Sequence, residues 1–186
     1  MHGLEWRRAT HKALISKTFI ANSRTSNKEE MASDQMPLEQ MQNGAQVTML
    51  NQTPTSMTLF RSVTWAGSPC PPCYPARILP NESVVFNNPA DPRLGSKAAV
   101  FYAADGPFNA RAWVLAWDAP VLYTPTSNKV FVLCGPKSLI ESMTDDQVLE
   151  ALEKSSESSQ CPGASATIRY LPDKKIAAVT ANFGGL

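Results

Sequence analysis

Arg111-Ala-Trp-Val-Leu-Ala-Trp-Asp118 is the stretch on which the fold turns. In an extended chain, side chains alternate between faces, so Trp113, Leu115 and Trp117 line one face while Ala112, Val114 and Ala116 line the other. Both faces are apolar, which marks a central strand with packing on each side, and the small-residue face invites close approach by another element. Trp113 and Trp117 are therefore read as structural core.

Working outward, the chain from Gln46 onward consists of short apolar runs of roughly five to eight residues separated by Pro, Gly, Asn and Asp, the pattern of an all-β sandwich or barrel. The predicted strands are 47–51, 57–65, 83–87, 97–104, 111–118, 129–134, 166–171 and 175–182. The turn clusters between them include Gly67-Ser-Pro69, Asn87-Asn-Pro89, Asp105-Gly-Pro107 and Leu171-Pro-Asp173. The expected architecture is an all-β, antiparallel two-sheet sandwich of about eight strands. In Met57 to Trp65 the alternation assigns Met57, Leu59, Val63 and Trp65 to one face, with Phe60 and Arg61 as exceptions. One short helix is expected: Thr144 and Gln147 form a capping box, Asp145 and Asp146 suit the positive helix start, and Val148, Leu149 and Leu152 make one stripe ending near Ser155. Ser155 to Gly163 reads as a loop.

Before this domain lies a polar leader. Up to Glu30 it holds six of the 17 Lys and Arg but three of the 16 Asp and Glu, leaving eleven against thirteen for the remainder. Residues 1–44 lack a sustained apolar period and are expected to be disordered, with a transit or upstream extension within residues 1–30, and residues 45–186 to form a single domain. The basic residues from Arg61 to Lys175 are scattered singly, which argues against a nucleic-acid partner. No segment reaches the ~20 apolar residues of a transmembrane helix, and Ser16, Lys17 and Thr18 interrupt any secretory core in the leader. The expected location is cytoplasmic, with thiols reduced.

Candidate chemistry is sparse. The two histidines, His2 and His11, both lie in the leader, so the domain has no His base and no His zinc ligand. No catalytic residue, metal or cofactor is assigned. Cys70-Pro-Pro-Cys73 has Cys-x-x-Cys spacing, but the flanking prolines predict an extended loop rather than the helix start that activates a thiol; a thiol oxidoreductase is the third reading after a binding protein and a lipid or glycan binder. Trp65, Tyr74, Phe108 and Tyr123 fall at strand ends or in loops, where an amphipathic aromatic ring suits a lipid headgroup or glycan.

The order Asn51, Leu59-Phe60, Trp65-Ala-Gly67, Tyr74-Pro75, Pro80-Asn-Glu82, Gly95-Ser-Lys-Ala-Ala-Val-Phe-Tyr102 and Trp113-Val-Leu-Ala-Trp-Asp-Ala-Pro120 resembles the 23 kDa jasmonate-induced proteins of plants. The resemblance implies a compact β-sandwich likened to aegerolysins and actinoporins, stress- or hormone-induced and without established catalysis. It implies no binding residue here, because Tyr74, Tyr102, Tyr123 and Tyr170 lack the spacing of an actinoporin tyrosine cluster.

Overall fold

The structure is a computed structural model that describes residues 42–68, 74–104 and 111–184. Residues 1–41 of the expected leader, Cys70, Cys73 and Phe108 lie outside the described residues.

Ten strands and two short helices occur in the order β1 (Gly44–Gln52), β2 (Met57–Ala66), β3 (Arg77–Ile78), β4 (Ser83–Pro89), β5 (Ser96–Ala104), β6 (Arg111–Ala119), β7 (Lys129–Pro136), α1 (Lys137–Ser142), α2 (Asp145–Glu153), β8 (Ser158–Cys161), β9 (Ala164–Leu171) and β10 (Ile176–Gly184). They make two five-stranded sheets, β4-β1-β10-β9-β8 and β3-β2-β5-β6-β7. All pairings within them are antiparallel except β1 with β10, which run parallel from Ala45↔Ala177 to Gln52↔Gly184. The predicted sandwich is present.

Strand β6 lies between β5 and β7 and is covered on both faces. Trp113, Leu115 and Trp117 join Val47, Met49, Tyr102, Ile168 and Phe183 in the core between the sheets. Ala112, Val114 and Ala116 face outward beneath Ile140 of α1 and Val148 and Leu152 of α2, the side where small residues allow helices to seat closely. At α2 the capping box forms in full: Thr144 N–H donates to Gln147 Oε1 at 2.9 Å, and Gln147 N–H donates to Thr144 Oγ1 at 3.2 Å.

Three features differ from the sequence reading. The strand pieces β3 and β8 and the helix α1 were not expected; β8 occupies the polar run assigned to a loop and is held by four residue pairs to β9. In β2 the register slips between Leu59↔Tyr102 and Arg61↔Phe101, so Phe60 is the extra residue of a β-bulge. The bulge reverses the phase, putting Val63 and Trp65 on the outer, helix-bearing face while Met57 and Leu59 stay inside. Arg61 then lies over the Phe101 ring at 3.7 Å and donates to the Met143 carbonyl at 2.9 Å. Finally, Gln42 and Asn43, placed in the leader by the sequence reading, are built into the sandwich, as is Gly44 at the start of β1.

Candidate functional site

The strand directions gather the turns 90–95, 120–128 and 171–175 at one end of the sandwich, and Gln42-Asn43 ties all three together. Gln42 N–H donates to Val121 O at 2.7 Å, Asn43 N–H to Lys175 O at 2.6 Å, and Ala90 N–H to Asn43 O at 3.1 Å. The buried Gln42 side chain adds bonds to Pro120 O at 2.9 Å and Asn128 Oδ1 at 2.8 Å. Gly95 seats the first turn on the second: it has φ +88°, and a Cβ there would lie 2.2 Å from Ala119 O and 2.6 Å from Pro120 Cα. Only glycine fits. Next to it, Ser96 Oγ accepts from both Trp117 Nε1 at 3.0 Å and Asn88 Nδ2 at 2.9 Å.

On this foundation the turns present apolar and cationic side chains to solvent. Leu94 is 62% exposed and Leu122 39% exposed. Behind them Tyr123 and Tyr170 stack with ring centroids 4.5 Å apart and an interplanar angle of 23°. Arg93 and Lys174 are exposed on the same turns. The Asp91 carboxylate accepts from the backbone N–H groups of Arg93 at 2.8 Å and Leu94 at 2.9 Å, which holds it below the usual carboxylate range and fixes the tip that carries Leu94. We call this the leucine end.

The opposite end carries an open groove of about 580 Å³ lined by Gln52, Gln160, Cys161, Ser165, Asn182 and neighbouring backbone. Beneath it Trp113 Nε1 donates to Gly163 O at 3.3 Å. This is the amide end.

The sequence-selected aromatics do not converge. Tyr74 is buried: its ring meets Phe86 at 5.3 Å and Trp117 at 6.4 Å, and burial pushes its phenol above the ordinary value. It closes the core rather than facing a ligand. Trp65 is half-buried on the helix-bearing face. Of the three that are described, Tyr123 alone sits on a turn of the leucine end. Trp113 and Trp117 are 2% and 0% exposed, as befits core residues. Leu94, Leu122 and Tyr170 were missed by the sequence reading, although Leu94 and Leu122 sit in Pro-bounded turns, where an apolar side chain has no strand to bury it.

Among the described residues no three His, Cys, Asp or Glu side chains gather as a metal-ion site, and no helix is long and apolar enough to cross a membrane. The half-buried carboxylate of Asp118 is paired with Lys97 at 2.7 Å; desolvation raises its pKa against the pull of that ammonium.

Fold and site define a class, a two-sheet β-sandwich with a loop end that exposes leucines beside charged side chains. No family model matches the chain. It is 37% identical over 116 residues to a jasmonate-induced protein homolog of Atriplex canescens, a match that covers 61% of this chain and 63% of that protein, so it spans less than two thirds of the relative's length. The resemblance carried by the Gly95-Ser96 and Trp113 to Pro120 motifs thus stands. Among solved structures, the lipid binding protein Nakanori has the same fold, with a TM-score of 0.63 at 16% identity over 77% of this chain and 72% of that one.

Proposed function

We propose that the chain is a non-catalytic binding protein that docks on a lipid surface through its leucine end. The observation that carries this reading is the pairing of exposed Leu94 and Leu122 with the Tyr123–Tyr170 stack and the cations Arg93 and Lys174 on turns fixed from behind. Leucines enter the acyl boundary, tyrosines suit the headgroup layer, and cations meet anionic headgroups. The lipid binding of Nakanori, a protein of the same fold, supports the reading. A cytoplasmic location, as expected from the sequence, would set these cations against the anionic leaflet.

Co-sedimentation with vesicles of neutral, sphingolipid-rich and anionic composition tests it. The parent protein pellets with at least one composition, and Leu94→Asp combined with Leu122→Asp stays in the supernatant while retaining its melting temperature. A parent that pellets with none overturns the proposal.

The amide end favours a second reading, a glycan ligand. Gln52, Gln160, Ser165 and Asn182 bring three amides and a hydroxyl to one groove, donors and acceptors suited to sugar hydroxyls. A glycan array that shows no binding lost in Asn182→Ala dismisses it.

A further inference from the structure

Cys134 and Cys161 lie on β7 and β8, strands of different sheets. Packed sheets stand about 10 Å apart, which exceeds the ~4.4–6.8 Å between Cα atoms that a disulfide spans. At this edge, however, the sheets close on each other. Val130 N–H donates to Ser156 O at 2.8 Å, and Val132 N–H donates to Ser159 Oγ at 3.1 Å. Two residues further along both strands come Cys134 and Cys161, and a side chain two positions on keeps the face of its predecessor. The same edge therefore brings Cys134 and Cys161 to face each other from the two sheets, packed against one core cluster. Both side chains pack against the inner core, both are free thiols, and Cys161 also lines the amide groove, where a small solute reaches it.

We propose that Cys134 and Cys161 are a redox-active pair that a peroxide joins into a disulfide, fastening the two sheets at the β7/β8 edge. In the first step the Cys161 thiolate attacks one oxygen of hydrogen peroxide; the O–O bond breaks, an S–O bond forms, and the departing hydroxide takes the proton that the thiol gave up and leaves as water. In the second, the Cys134 sulfur attacks the Cys161 sulfenic sulfur; the S–O bond breaks, the S–S bond forms, and a second water leaves. Two thiols are oxidised by two electrons and one peroxide is reduced to two waters. Burial holds both thiols above the ordinary thiol range, opposed at Cys134 by the Arg111 guanidinium, so the thiolate fraction is small and the reaction is slow at neutral pH. The closed loop carries α1 and α2.

The test uses the full chain treated with hydrogen peroxide, digested without reductant and mapped by mass spectrometry. The expected product is a Cys134–Cys161 linked peptide two hydrogens lighter than the sum of its halves and released by dithiothreitol. It comes with a melting temperature raised by roughly 5 °C, because a cross-link removes freedom from the unfolded chain. The link is lost in Cys161→Ser and kept in the double variant Cys70→Ser, Cys73→Ser, which leaves β7 and β8 untouched. Recovery of Cys134 and Cys161 as separate sulfinic or sulfonic acids, or linked to Cys70 or Cys73, overturns the proposal.

Discussion

The leucine end and the amide end are made by the same ten strands, yet they spend their side chains differently. At the leucine end the interior is locked by Gly95, Ser96, Trp117 and Gln42, and its apolar groups are left outside at Leu94 and Leu122. At the amide end the Trp113 indole N–H donates to a backbone carbonyl, and polar amides face the open groove. A soluble surface can leave single leucines exposed without consequence. What distinguishes these two is that they stand on turns held rigidly together beside a stacked tyrosine pair and cations. Residues that build such a foundation are separable from residues that use it.

The largest expected effects come from breaking the foundation. Gly95→Ala forces a Cβ into backbone atoms of Ala119 and Pro120, and Trp117→Ala leaves a cavity and removes one of the two donors to Ser96 Oγ; each should cost about 3–5 kcal/mol. Thermal melts should fall by about 10 °C or more. Trp113→Ala should lose as much, and Trp65→Ala, already half in water, should lose clearly less. If Trp113→Ala and Trp117→Ala both melt within a degree or two of the parent, β6 is not the core strand described here.

Changing what uses the foundation should leave stability alone. Leu94→Asp with Leu122→Asp should weaken vesicle binding at least tenfold, on the order of 1 kcal/mol or more per leucine transferred, with a melting temperature within about 2 °C of the parent. Arg93→Ser and Lys174→Ser should each weaken binding to anionic vesicles by about 1 kcal/mol, measurable as a roughly fivefold shift that fades with added salt. Neutral vesicles should show no such shift.

A smaller effect is set by pH. Because backbone N–H groups hold the Asp91 carboxyl below its ordinary value, the order it gives the 91–95 turn is complete above the unfolded carboxylate value near ~4 and is lost as pH falls through the lower folded value. Leu94 amide exchange should therefore quicken only in strongly acidic buffer, and Asp91→Asn should remove the pH dependence. Asn182→Ala, at the amide end, should change neither stability nor vesicle binding.

Much of the scaffold was legible in the sequence. The both-sides-apolar pattern of Arg111 to Asp118 specified a central strand, and the Thr144/Gln147 spacing specified α2. Other features had no local signal. The bulge at Phe60 depends on pairing with β5, so alternation carried past it put Val63 and Trp65 on the wrong face. The polar strand β8 owes its conformation to β9 rather than to propensity, and the parallel pairing of β1 with β10 joins residues more than a hundred positions apart. The candidate site was less legible still. Position in a loop marks an aromatic as free to face solvent, but Tyr74 is drawn inward by Phe86 and Trp117. The leucines that do face solvent are marked in sequence only by the Pro-bounded turns that carry them.

Depth measurement by fluorescence tests the central claim most directly. Leu94→Trp and Leu139→Trp place an indole at two exposed positions, one at the leucine end and one on α1, far from it in the fold. With vesicles containing brominated acyl chains, emission in excess of the parent protein's should be quenched for Leu94→Trp and unaffected for Leu139→Trp. Equal quenching of both, or quenching of Leu139→Trp alone, would contradict docking through the leucine end.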